Sequence, residues 1–337
     1  MRAKWIYIYL FLILFGFNAC DEEVPSPSYV DEDRMEELLD LSKPLVKEYK
    51  EKYGVNILYN FDDTLDFKFG FYTLASNQKW SAIEIRHLDA DETVDYAFQK
   101  LDEMVFRYFN DDFKKYLPYK LLVSDMVILA GDVIPDALIS EPDGSESGTV
   151  TAIGNTYSYM FAFNKEAMES FSASALKNLR DVKLYHLISY IMDKYHLYEE
   201  IPASFYSSVA GLHGQSIDSL AKREEVLPVG SGSSSTYYKP EWYMGLGMAL
   251  TMNSPNNGAT SNFSRRLQMN RSLYIPAKER DFRNFLCVML FTKKSDLERY
   301  YLSAPLFCER MKIAIETLQG WGVKMLEVNP DLEMFLN

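Results

Sequence analysis

The chain has 337 residues, 47% of them hydrophobic and 15% aromatic; that much apolar surface offsets the entropy of ordering a backbone and excludes a disordered, solvated protein. Its 48 acidic residues against 35 basic ones leave a formal charge of −13. No stripe of Lys and Arg is available to track phosphates, so a nucleic-acid partner is excluded as well.

At the N-terminus Arg2 and Lys4 precede an unbroken apolar run from Trp5 to Phe17. As a helix that run reaches only ~20 Å, short of the ~30 Å hydrocarbon core, so residues 1–19 read as a signal peptide and not as a permanent span. Cys20 follows the small Ala19 and precedes Asp21, Glu22, Glu23 and a Pro-Ser-Pro-Ser tract. The stretch Phe17-Asn18-Ala19-Cys20 resembles the relaxed lipobox of Bacteroidetes lipoproteins. That resemblance implies lipidation of Cys20, a linker over 20–30, and an outer-membrane location on the cell surface or on the periplasmic face. An ordinary secretory peptide that happens to hold a Cys is the other reading. Each buried acyl methylene contributes about 0.8 kcal/mol, so several chains on one Cys hold a protein on a membrane. Cleavage would also remove Arg2 and Lys4 and leave the mature chain more acidic.

Asp31 to Tyr53 is predicted helical: Met35, Leu38, Leu39, Leu45, Val46, Tyr49 and Tyr53 recur at helical spacing, Gly54 stops the run, and Pro44 breaks or kinks it. Val55 to Phe61 alternates like a strand, and Asp66 to Leu74 is predicted as another. Asp91 to Phe109 is a second helix, with a stripe of Val94, Ala97, Phe98, Leu101, Met104, Val105 and Tyr108. Lys120 to Leu129 and Thr149 to Phe163 are β-branched and aromatic enough for strands, separated by the turn-rich Glu141 to Gly148. From Lys165 onward the pattern turns helical: Ser174 to Tyr198, Lys278 to Thr292, and Ser295 to Gly320 with an interruption at Pro305. A Gly/Ser/Asn-rich region, Val229 to Ser264, lies among them. The chain is therefore predicted α+β, a mixed part over 31–164 followed by a mainly helical part over 165–337.

The four histidines are His87, His186, His196 and His213, and only His186 and His196 fall in a strongly helical stretch. Around His186 the sequence reads Tyr185-His186-Leu187-Ile188-Ser189-Tyr190. The lipoprotein start, the early helix leading into Tyr53-Gly54-Val55-Asn56-Ile57-Leu58-Tyr59-Asn60-Phe61-Asp62-Asp63, this mid-chain helix, the Pro-containing segment after it and the acidic-aromatic Asp281-Phe282 come in a telling order. Together they resemble the substrate import-associated zinc metallohydrolase lipoproteins, zinc-binding metallopeptidases of Bacteroidetes type encoded beside TonB-dependent nutrient uptake systems. The likeness spans most of the mature chain and is carried by layout and short stretches. It implies a zincin-like, metallopeptidase-like fold in which the mid-chain helix carries His-Glu-x-x-His: two His one turn apart bind zinc and the Glu deprotonates the bound water.

At those positions this sequence departs from the family. His186 stands at the first ligand, Leu187 where the general base belongs, and Tyr190 at the second ligand. Downstream, an Asp-Phe-x-Glu-like stretch reads Asp281-Phe282-Arg283-Asn284. Leucine has no lone pair, and a phenol of pKa near ~10 is a poor replacement for imidazole. On a regular helix His196 is turned by roughly 80° and raised ~15 Å from His186, and Asp193 sits about 10 Å along the axis, so neither completes the site. The resemblance thus implies a degenerate member with no catalytic residues, no metal and no cofactor. Its implied role is accessory, binding a substrate or partner near a TonB-dependent transporter and its surface lipoprotein. Two other readings stand beside it. One is an active zinc-dependent metallohydrolase in which His196 or His213 joins His186. The other is a glycan- or peptide-binding lipoprotein without metallopeptidase ancestry, in which His186 is a helix-face or core histidine.

Tyr237-Tyr238-Lys239-Pro240-Glu241-Trp242-Tyr243 puts four rings in seven residues. They offer a stacking platform for a sugar or peptide, or they pack a long loop, and packing is the preferred reading. Cys287 and Cys308 either pair in an oxidising compartment or stay as buried thiols; neither reads as catalytic.

Overall fold

The computed structural model describes residues 32–68, 83–129, 149–150, 152–155, 157–228, 230–231, 235–249, 268–270 and 274–337. The expected signal peptide, Cys20 and the expected linker, residues 69–74 of the strand expected over 66–74, and the turn-rich Glu141 to Gly148 lie outside the described residues, as does most of Val229 to Ser264. Two compact units are present, Met1–Leu39 and Asp40–Asn337. In the first, helix α1 covers Glu32–Leu38.

The second unit is α+β. Helix α2, Pro44–Tyr53, begins on its proline, whose fixed φ suits a first turn that needs no N–H, and ends on Gly54 at φ 69. The single helix expected over 31–53 is therefore two. Strand β1, Asn56–Leu58, is buried on both faces. Of the strand expected over Asp66 to Leu74 only 66–68 are described, and its start is not extended: the Asp62 carboxylate accepts from the N–H groups of Thr64 and Leu65 and turns Asp63–Phe67 into a helical turn. Strand β2, Ile83–Arg86, leads to helix α3, Asp91–Met104, which buries Val94, Ala97, Phe98, Leu101 and Met104, the predicted stripe.

Lys120 to Leu129 was expected as one strand but is divided at Asp125 into β3, Lys120–Ser124, and β4, Met126–Leu129. The Asp125 N–H donates to Arg86 O, and its carboxylate accepts from Asn164 Nδ2, so the chain steps from one sheet to another there. Strands β5 (Thr149–Val150), β6 (Ala152–Gly154) and β7 (Ser158–Ala162) follow. One sheet has the order β1-β3-β7-β6, with β1, β3 and β7 parallel and β6 antiparallel to β7; the other is the antiparallel β2-β4-β5.

Helix α4, Ala173–Lys194, opens on a Ser172 side-chain cap and is buried on most of its sides, from Leu179 through Met192. Such a helix belongs to the middle of a fold. Helix α5 (Ile217–Arg223), strands β8 (Gly230–Ser231) and β9 (Ser235–Tyr237), helix α6 (Pro240–Gly245) and strand β10 (Gln268–Asn270) come next; the three strands form an antiparallel sheet. Helix α7 is Lys278–Phe291, and α8, Pro305–Trp321, starts on the proline that interrupts the predicted run. Position 164/165 separates strand-rich from helix-rich sequence but no compact units, since 40–337 hold together as one. Cys287 is buried and Cys308 half-buried, and no disulfide joins them.

Candidate functional site

Helix α4 carries the positions singled out by sequence. Lys183, fully buried, donates from Nζ to Ala162 O at 2.8 Å and lies 4.5 Å from the centre of the Phe163 ring, which ties α4 to the end of β7. One turn on, His186 is 7% exposed. Burial pushes its imidazole down to about 3, so it is neutral, and its Nε2 has no hydrogen-bond partner. Leu187 is wholly in the core. The Tyr190 hydroxyl donates to Asn155 O at 2.8 Å, and its ring meets Tyr159 edge-on at 5.0 Å. A Cβ on Gly154 would stand 2.8 Å from the Tyr190 ring, so the glycine leaves room for that ring beside β6. Desolvation holds the Tyr190 phenol above its ordinary range, so it stays protonated.

Asn284 lies on α7. The Asp193–Arg283 ion pair and the Tyr185–Phe291 ring contact at 6.0 Å set α4 and α7 antiparallel. In that register Asn284 is level with Met192, about 9 Å along α4 from His186. His196 stands exposed just beyond α4 in a left-handed conformation, φ 55. His213 is held elsewhere, its Nε2 2.8 Å from Asp281 Oδ2. The donor set therefore does not fit zinc: the three motif positions hold one buried imidazole, an aliphatic side chain and a phenol committed to Asn155 O. Among the described residues no group of three or more His, Cys, Asp or Glu is placed to hold a metal ion.

The aromatic run is part of the core. Tyr238 and Tyr243, each 5% exposed, cluster with Val209, Ile217, Leu220, Met248 and Ile275. Trp242 packs against them, its Nε1 donating to Glu224, and the Tyr238 hydroxyl donates to Asp218 at 2.6 Å. Tyr237 lies in β9, and its side chain is outside the described residues. Stacking on Tyr238 and Tyr243 would require opening that cluster, so the platform reading gives way to packing.

Two arrangements were not seen in the sequence. The first is a buried charged node: Arg310 donates to Asp281 Oδ2 at 2.6 Å and to the carbonyl oxygens of Phe205 and Gly247, and stacks over Phe205 at 4.2 Å. Asp281 Oδ1 and His213 Nδ1 have no hydrogen-bond partner there. Asp281-Phe282 was noticed as a motif, but nothing local points from it to an arginine 29 residues on. The second is a set of exposed tyrosines, Tyr119, Tyr157 and Tyr195, at one edge of the β1-β3-β7-β6 sheet. Comparison of the chain with known protein families, with curated proteins and with solved structures finds no match.

Proposed function

We propose that this protein is a lipid-anchored accessory lipoprotein of the outer membrane that binds a substrate or partner beside a TonB-dependent uptake system. In this reading its zincin-like, metallopeptidase-like helix holds the fold together in place of a metal. The supporting observation is the state of the three motif positions. His186 is neutral and enclosed, Leu187 is core, and the Tyr190 hydroxyl is bonded to Asn155 O. A zinc hydrolase assembled from His186 with His196 or His213 is opposed by the exposure of the one and the Asp281 bond of the other.

The anchor is tested by expressing the full chain in a Gram-negative host fed an alkyne-bearing palmitate. The reading expects label on the wild type and none on Cys20→Ser. An unlabelled wild type, or label that persists in Cys20→Ser, contradicts it.

A further inference from the structure

In the parallel pair β3 and β7, Lys120 stands opposite Ser158, so Tyr119 and Tyr157 immediately precede neighbouring strands, whose backbones run about 4.8 Å apart. They are 58% and 53% exposed. The C-terminal end of α4 reaches the same edge, because Asn155 accepts from the Tyr190 hydroxyl at its carbonyl and from the Tyr157 N–H at its Oδ1. One turn beyond Tyr190, Lys194 Nζ lies 5.5 Å from the Tyr190 ring centre and 6.0 Å from that of Tyr195. Tyr195, 39% exposed, meets Tyr116 edge-on at 5.3 Å. Single exposed rings are ordinary, whereas rings that share one edge, with a cation beside Tyr190 and Tyr195, make a surface with a defined chemistry.

Lys194 supplies the second observation. Its ammonium is partly desolvated among the rings, which lowers its pKa. Among the described residues no carboxylate pairs with it: the neighbouring Asp193 is taken by Arg283 and by the Tyr198 hydroxyl. The Lys194 Nζ donates to the Tyr190 hydroxyl at 3.4 Å, so in a chain of charge −13 it is a cation neutralised by no carboxylate among the described residues. The flat rings with polar tips offer apolar faces and hydroxyl partners together, which suits the alternating C–H and O–H surface of a pyranose.

We propose that this edge binds a neutral glycan chain carrying a single sugar acid: the tyrosine rings stack on the sugars and the Lys194 ammonium takes the carboxylate. A polyuronate or polyphosphate is disfavoured by the acidic charge of the whole chain. The proposal rests on the non-catalytic binding reading above and adds the ligand class to it.

The test is calorimetric titration of the full chain in detergent with two matched pairs, glucuronosyl-xylotetraose against xylotetraose and sialyllactose against lactose. An acidic pentapeptide is titrated alongside. The acid-bearing member of at least one pair is expected to bind about 3- to 10-fold tighter than its neutral partner. Lys194→Gln is expected to erase that ratio while keeping the neutral affinity. The exposed-surface double variant Tyr157→Ala/Tyr195→Ala is expected to weaken both members at least about 10-fold, with its thermal midpoint near that of the wild type. Absence of glycan binding, equal binding by wild type and variants, or binding of the peptide in place of the glycans overturns the proposal. None of these outcomes touches the palmitate labelling of Cys20, so failure here is distinguishable from failure of the broader reading.

Discussion

An imidazole enclosed in a helix core resists protonation, and that resistance is readable as acid sensitivity. In the fold His186 titrates at about 3, against about 6.5 when free, because burial removes the water that would stabilise its charge. Between those values the unfolded chain takes a proton that the folded chain refuses. The contribution is thus complete above pH 6.5 and is lost as pH falls toward 3, by about 1.4 kcal/mol per pH unit. At pH 5 the loss is about 2 kcal/mol relative to pH 7. His186→Met, which keeps an apolar side chain of similar bulk, is expected to shrink the stability difference between pH 7 and pH 5 by about that amount in urea titrations. An unchanged difference contradicts the burial. Seen one residue at a time, Leu187 and Tyr190 looked like losses from a catalytic motif. In the structure each has a packing role: Leu187 is a fully buried aliphatic side chain, and the Tyr190 hydroxyl makes a bond to Asn155 O worth about 1 kcal/mol.

Elements meet at the Asp281–Arg310 pair. It joins the first turn of α7 to the middle of α8, and the Arg310 guanidinium also reaches the carbonyl groups of Phe205 and Gly247, beyond the ends of α4 and α6. Removing one partner of a buried pair leaves an uncompensated charge, so Arg310→Met is expected to cost about 3–5 kcal/mol in chemical denaturation. A loss below about 1 kcal/mol would mean that solvent already compensates the node. At this scale the sequence was a good guide wherever one residue type decides a boundary. Pro44 and Pro305 start helices where a break was expected, and the α3 stripe is the buried one. It misled where a side chain competes with the ladder. Asp62 caps a turn where the strand was expected to begin, and Asp125 divides an apolar run between two sheets. Both depend on partners that sequence periodicity does not contain.

Across the whole molecule, helix content and the α+β class were legible because long periodic segments dominate them. The surface was not. Tyr238 and Tyr243 left the sequence with two readings, a platform or the preferred packing, and only the structure puts them in the core. The exposed set draws on positions 119, 157 and 195, with the half-buried Tyr116 beside the last, and they come near one another because β3, β7 and the end of α4 share an edge. Spacing along a chain reports which residues share an element, and exposure is decided by what that element packs against. In the function proposed above the same distinction applies to α4: its sequence resembles a metallopeptidase motif, while the reading gives its residues structural work and no metal.

The most direct test of that claim is the zinc content of the full chain, purified with zinc supplied throughout and read by plasma mass spectrometry beside a casein-cleavage assay. The account predicts zinc far below one ion per chain, unchanged by His186→Ala, and no cleavage above background. Stoichiometric zinc that is lost in His186→Ala, together with cleavage that falls with it, would contradict it.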